Sequence, residues 1–238
     1  MNSPLSQVSQ QRTVSNDAIN NFMNKVYLWM MVGLGISTAS AYYITSHPLL
    51  FREIMTSGLY TGLIVAQLVS VFAFAFLQRK QNPTLNMFLY VFYALLSGVT
   101  LSVVALVYTS QSITMAFVST AIAFFGLSVF GRVTKRDLSG IGTFCYMGLF
   151  GLIGVSLLSF FIPALRGNTM QLTMSALGVI IFSGLTAWDT QKIKRRYIAQ
   201  TAGNESASSA LAISGALTLY LDFINLFLSL LRLGGSRR

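Results

Sequence analysis

A chain of 238 residues that is 54% hydrophobic and only 9% charged is no soluble domain, where about a quarter of the residues carry charge. Its net charge of +10 does not argue for nucleic acid, because the basic residues sit in short clusters between apolar runs, as membrane topology signals do. One cysteine, Cys145, and one histidine, His47, exclude an internal disulfide, a CxxC motif and a histidine-rich metal site.

The chain opens with residues 1–21, polar and rich in Ser and Gln. No apolar stretch there precedes a small-residue cleavage site, so the segment reads as a disordered cytoplasmic tail rather than a signal peptide. Seven windows then approach the roughly 20 apolar residues that a spanning helix needs. They are Lys25–Thr45, Gly58–Leu77, Leu85–Tyr108, Ile113–Phe130, Gly140–Ile162, Leu172–Asp189 and Ala210–Leu231. They are too long and too evenly apolar for barrel strands, and helices satisfy their own backbone in lipid. The expected fold is an all-α membrane protein, with seven transmembrane helices over residues 22–233 and a short basic tail, 234–238.

The connections differ in length. "TSQS" (Thr109–Ser112) is short enough to make the third and fourth windows antiparallel neighbours, and "QNPT" (Gln81–Thr84) is also tight. The longest is Gln191–Ser209, whose small polar "TAGNESASSA" predicts a mobile loop. No internal repeat is visible, which weighs against an inverted-repeat transporter. One side of the membrane receives Arg12, Lys25, Arg79, Lys80, Arg132, Lys135, Arg136, Lys192, Lys194, Arg195 and Arg196; the other receives Arg52, Arg166, Arg232, Arg237 and Arg238. The richer side is expected to be cytoplasmic. The N-terminus is then inside and, after seven crossings, the C-terminus outside. A last helix that failed to cross would put the tail back inside.

Six acids remain to be placed. Asp17 falls in the tail and Glu53, Asp137 and Glu205 in loops, where solvated surface is the ordinary reading. Asp189 and Asp222 fall at or inside spans, where an ionisable residue is expensive and marks function. Asp222 belongs to a stripe, Ser214, Thr218, Asp222, Asn225 and Ser229, spaced at four, four, three and four. That spacing puts the five on one helix face, so the last helix is expected at the bundle centre. The bland reading of the stripe is packing between helices, but packing does not require an aspartate. Asp189 ends the sixth window in "GLTAWDTQKIKRR", with Lys192 one turn on. The bland reading there is a weak interfacial ion pair. If the sixth helix runs past the headgroups, the two acids meet. Two carboxyls in a dry site cannot both ionise cheaply, so they would share a proton and titrate as one unit. Once ionised, the pair repels itself and attracts a hard cation such as calcium.

"GLTAWDTQKIK" (Gly184–Lys194) and "GALTLYLDFINLFLSLLR" (Gly215–Arg232) closely resemble the Bax inhibitor-one family, the transmembrane Bax inhibitor motif proteins. "KVYLWMMVGLG", "GLIVAQL", "TLSVVALVYT" and "TKRDLSG" resemble its bacterial inner-membrane members. The resemblance covers nearly the whole chain after the tail. It implies seven helices with the seventh central in the bundle, and a calcium leak governed by two aspartates, here Asp189 and Asp222. It also implies regulation of a membrane-bound AAA protease as a role of some bacterial relatives. Suppression of cell death, for which animal members are named, is no native bacterial role. Two positions depart. An acid that lines the pore in some members is matched here by neutral Gln67, which weakens cation binding in the path. The arginine that pairs with the aspartates in some members is matched by Arg79 as latch partner.

Three functions therefore compete. The first is a pH-gated cation leak, with the aspartates as gate and calcium binders and with Ser214, Thr218, Asn225, Ser229 and Gln67 lining the path. The second is a non-transporting regulator that binds a membrane protein such as a protease; deleting residues 1–20 would then change the co-purifying partners. The third, an intramembrane aspartyl protease, lacks the Gly-x-Gly-Asp signature, since Asp222 follows "LYL". A rhomboid-type serine protease fails because His47 lies between windows. The expectation is a protein with no catalytic activity and no resident cofactor. Its partners are the lipid bilayer, protons and calcium, with no nucleic acid.

Overall fold

The computed structural model describes residues 15–78, 82–159, 161–200 and 205–238, and among them the chain forms eight α-helices. These are α1 (Asn16–Thr45), α2 (Pro48–Thr56), α3 (Leu59–Leu77), α4 (Pro83–Val107), α5 (Ser110–Val133), α6 (Ser139–Leu158), α7 (Asn168–Gln200) and α8 (Glu205–Gly234), with a 3-10 turn at Pro163–Arg166. Local chemistry sets several starts. Ser15 caps α1 by accepting from Ala18 N–H, and Asn82 caps α4 from Thr84 and Leu85 with Pro83 at the first position. Thr109 caps α5 from Ser112. Each cap satisfies amides that the first turn leaves unpaired.

Six helices, α3 to α8, are long and apolar enough to cross a membrane. The expected seven are not reached, because the window Lys25–Thr45 is diluted by the Gly, Ser, Thr and Tyr of "GLGISTASAYY". At 30 residues, α1 still measures about 45 Å at 1.5 Å per residue. Other expectations shift too. Asp17 is helical, in the first turn of α1, rather than part of a tail, and Glu53 lies in α2 rather than a loop. The long loop Gln191–Ser209 is mostly helix: α7 continues to Gln200 and α8 already begins at Glu205. "KIKRRYIA" and "ESASSALA" are rich in Ala, Lys and Arg, good helix formers that charge does not disqualify outside lipid. Residues 1–14, Arg79 and 201–204 lie outside the described residues.

α8 is the centre of the bundle. Its apolar window is 67% buried, against 39% at most in the other candidate spans, and it packs on α1, α4, α5 and α7. Its Leu219, Tyr220 and Leu226 are fully shielded, as are Met23, Val26 and Tyr90. Phe72, Phe76, Phe125, Phe144 and Phe150 point outward with more than half their surface bare, as lipid contact allows.

The ends of the helices sort into two faces. Asn20 of α1 accepts from Arg132 at the end of α5, and Asn86 of α4 donates to the Ala210 carbonyl of α8. This basic face also carries Asp137 paired to Arg195. At the far face the tail after α8 is pinned. The amides of Thr109 and Arg238 donate to the carbonyls of Ser236 and Val107, and Ser236 N–H donates to the Ser112 hydroxyl. The tight turn Thr109–Ser112 does not make α4 and α5 packed neighbours as expected. α4 packs on α1, α3 and α8, whereas α5 packs on α7 and α8; the pinned tail and α8 occupy the space between them.

Candidate functional site

The polar stripe of α8 turns inward as its spacing predicts. Ser214, Asp222 and Ser229 are buried and Thr218 and Asn225 half-buried. Four members spend their donors on α8 itself: Ser214, Thr218, Asn225 and Ser229 bond to the carbonyls of Leu211, Ser214, Leu221 and Asn225. These bonds do not tie α8 to its neighbours. Asp222 differs. It is 5% exposed, and its Oδ2 has no hydrogen-bond partner.

Asp189 is equally shielded, at 2% exposure, and its Oδ1 also lacks a hydrogen bond. Lys192 Nζ stands 3.6 Å from that oxygen and 4.2 Å from the centre of the Trp188 ring. The two acids belong to antiparallel neighbours whose register is set by glycine. A methyl on Gly215 would press on Ile193, and one on Gly178 would meet Ser229. Between those contacts Asp222 stands level with Thr186, about one turn or ~5 Å from Asp189 along the axis. Each carboxyl lies within Coulombic reach of the other and of Lys192. Arg196 also acts on Asp189, and Asp222 reaches Cys145 and Tyr146 of α6. Two buried carboxyls thus share one nearby ammonium, and the uncovered oxygens suit either a proton or a hard cation. Among the described residues no group of three or more His, Cys, Asp or Glu gathers to hold a metal, so the pair is the whole acidic set.

Cavities approach the pair from both faces. From the far face, one of about 360 Å³ is lined by Tyr60, Gln67, Thr100, Asn225 and Arg232. A second of about 640 Å³ reaches Asn225 and Ser229, and Asn225 lies one turn from Asp222. From the basic face a pocket of about 290 Å³ ends on Trp188, Lys192, Arg195 and Arg196. The aspartates lie between. Gln67 is held by two bonds: its amide donates to the Tyr93 hydroxyl at 3.1 Å, and its carbonyl accepts from Thr100 at 2.9 Å.

One polar cluster escaped the sequence reading. The Tyr220 hydroxyl donates to Ser97 at 2.8 Å and lies 2.7 Å from Ser37, which bonds the Ala94 carbonyl. Tyr90 and Tyr93 stand edge-on to Tyr220. This cluster ties α1 and α4 to α8, the role that the stripe itself does not fill. Tyr220 is spaced two residues from Asp222 and faces the other way, so no helical periodicity could attach it to the stripe.

Outside the lipid-facing spans, Asp137 sits just before α6, whose N-cap position is Leu138. It accepts from the Ser139 hydroxyl and amide and from Arg195, and these bonds lower its pKa to about 2. A depressed carboxyl contributes stability above its ordinary value near 3.8, and that contribution is lost as the pH falls through 2. Carboxyl NMR should therefore place the Asp137 midpoint near 2, and Arg195→Gln should move it upward. An unmoved midpoint would show that the Ser139 bonds suffice alone.

A family model described as Inhibitor of apoptosis-promoting Bax1 matches residues 19–238. Inner membrane protein YbhL of Escherichia coli K12 is 40% identical over 221 residues, which is 92% of this chain and 93% of that protein. The uncharacterized protein RP147 of Rickettsia prowazekii is 37% identical across 98% of this chain and 97% of its own length. The uncharacterized protein YrjE of Lactococcus lactis is 39% identical, with 92% of each chain covered.

Proposed function

This chain belongs to the Bax inhibitor-1 family, and from that premise we propose that it is a multi-pass protein of the bacterial inner membrane that leaks cations, calcium foremost, under the control of Asp189 and Asp222. The observation that carries the reading is the pair itself. Two acids from neighbouring helices, each with a buried oxygen lacking a hydrogen bond, lie near Lys192, which itself lines the cavity of the basic face. Protonation decides how much negative charge the pair holds, and therefore whether it stays closed or separates and admits a cation.

The reading takes α1 as the seventh crossing. Its support is that α1 runs alongside α4 in the same direction: Trp29 meets Tyr90, and Ser37 and Ser40 meet Ala94 and Leu95. The basic face is then cytoplasmic, in line with the positive-inside rule, and the N-terminus lies there. Gln67, Asn225 and Ser229 line the outer approach, Ser214 and Thr218 the inner part of α8, and no step is catalytic.

The test is calcium flux into liposomes holding the purified chain, scanned from about pH 5 to 8, the range in which interacting buried carboxyls titrate. Wild-type flux should change with pH, by up to about tenfold per unit for a single titrating event, and Asp222→Asn should lose that dependence. Flux no greater than that of empty liposomes would sink the leak. Regulation of a membrane partner such as a protease would then be the reading left.

A further inference from the structure

Lys192 is placed differently from its basic neighbours on α7. Arg195 pairs with Asp137 at 2.8 Å, and Lys194 Nζ donates to the Arg132 carbonyl at 2.9 Å. The Lys192 ammonium turns instead to a buried carboxyl and two aromatic rings. It stands 3.6 Å from Asp189 Oδ1, 4.2 Å from the Trp188 ring centre and 5.5 Å from the Tyr146 ring centre. At 3.6 Å the pair is ionic, without a full hydrogen bond. A cation within about 6 Å of a ring face is attracted to it. The ammonium is therefore shared between a carboxyl and two rings. Those rings are fixed: Tyr146 and Trp188 meet edge-on at 5.2 Å, and a Cβ on Gly142 would collide with the indole. Lys192 and Trp188 also line the 290 Å³ pocket of the basic face, so this lysine borders both that pocket and Asp189.

We propose that Lys192 is a tethered cation that competes with the permeant ion for Asp189 and Asp222, and that the Trp188 and Tyr146 rings hold its ammonium when the ion displaces it. The inference rests on the proposed cation path and adds what regulates it. Ion and ammonium seek the same carboxylate oxygens, and two cations on one buried pair repel each other. A tether gives the ammonium a high local concentration. A monovalent ion brings no more charge than the ammonium already there, whereas calcium brings twice as much and prefers carboxylate oxygens. Arg196 also acts on Asp189, but it is exposed, and water and salt screen it.

The experiment is calcium flux into liposomes holding the full chain, read as the calcium concentration that gives half the maximal rate. Lys192→Met keeps a long unbranched side chain without the charge. It should lower that concentration by about tenfold, as removal of a competitor that holds the site about nine-tenths of the time would. Trp188→Leu keeps the lysine, removes a ring that receives it and should raise the concentration. A loss of packing alone would move both variants the same way. A second reading uses the two tryptophans of the chain. With Trp29→Phe, Trp188 is the sole indole. Calcium should change its emission, and should no longer do so once Lys192→Met is added. The Trp188→Leu and emission arms keep the idea testable if Lys192→Met fails to fold. An emission response without flux would keep the competition and end the leak. Flux whose half-saturation stays the same in both variants, or moves the same way in both, would end the competition and keep the leak. Emission indifferent to calcium would overturn the competition whether or not the chain conducts.

Discussion

Combining Asp189→Asn with Asp222→Asn is expected to flatten the pH profile of calcium flux no further than Asp222→Asn alone. In the proposed gate, two carboxyls about one turn apart in the bundle interior, with one ammonium 3.6 Å from the first, would titrate in steps that belong to the pair. Once either acid is replaced by an amide, the remaining one answers to Lys192 without a like-charged neighbour, and the shared titration is gone. Neighbours in one network are non-additive in this way, whereas independent sites add. Flux measured on the two single variants and the double closes the cycle. Two single effects that sum to the double would mean that the aspartates act separately, and the gate would have to be sought at one of them. Asparagine keeps the shape of each side chain, so packing around Cys145 and Leu185 should survive the change.

The largest effect on stability is expected at Gly98. Here α1 and α4 touch, and a Cβ would collide with the Ser37 carbonyl oxygen and with Ser40 Cβ. Backbone cannot move aside as a flexible side chain can. Gly98→Val should force the helices apart and separate Ser37 and Ser97 from the Tyr220 hydroxyl. Overpacking of this kind costs about 1–3 kcal/mol, and stranding buried hydroxyls adds to it. For a chain of this size each kcal/mol lowers the melting temperature by roughly 2–4 °C, which thermal denaturation in detergent would resolve. Gly35, also in α1, has nothing near its Cβ position, so Gly35→Ala should melt like the parent. If both variants melt alike, the contact contributes nothing.

These predictions rest on features that differ in how plainly the sequence displays them. The inward face of α8 was legible, because five polar residues at helical spacing in an apolar run leave it no other face to bury. Whether Asp189 would meet Asp222 was not. That depended on where α7 ends, and "TQKIKRRYI" serves equally as a topology signal and as helix. The Ser37, Ser97 and Tyr220 cluster was invisible because its members lie far apart in sequence and follow no local period. α1 is less apolar than the six candidate spans. Its Gly and Ser residues allow close helix contact within the bundle, and the same residues lower its apolarity.

The bonds that pin the tail also define how the central helix can move. α8 is tied at its far end by the Thr109, Ser236 and Arg238 hydrogen bonds, so any tilt of the helix would pivot there. Its 30 residues make an arm of roughly 45 Å, so a tilt of about 5° swings the opposite end by ~4 Å. Asp222, twelve residues before the end of α8 at Gly234, would move by only ~1.6 Å. Cutting the tail loose would free the pivot and turn a directed swing into undirected wobble.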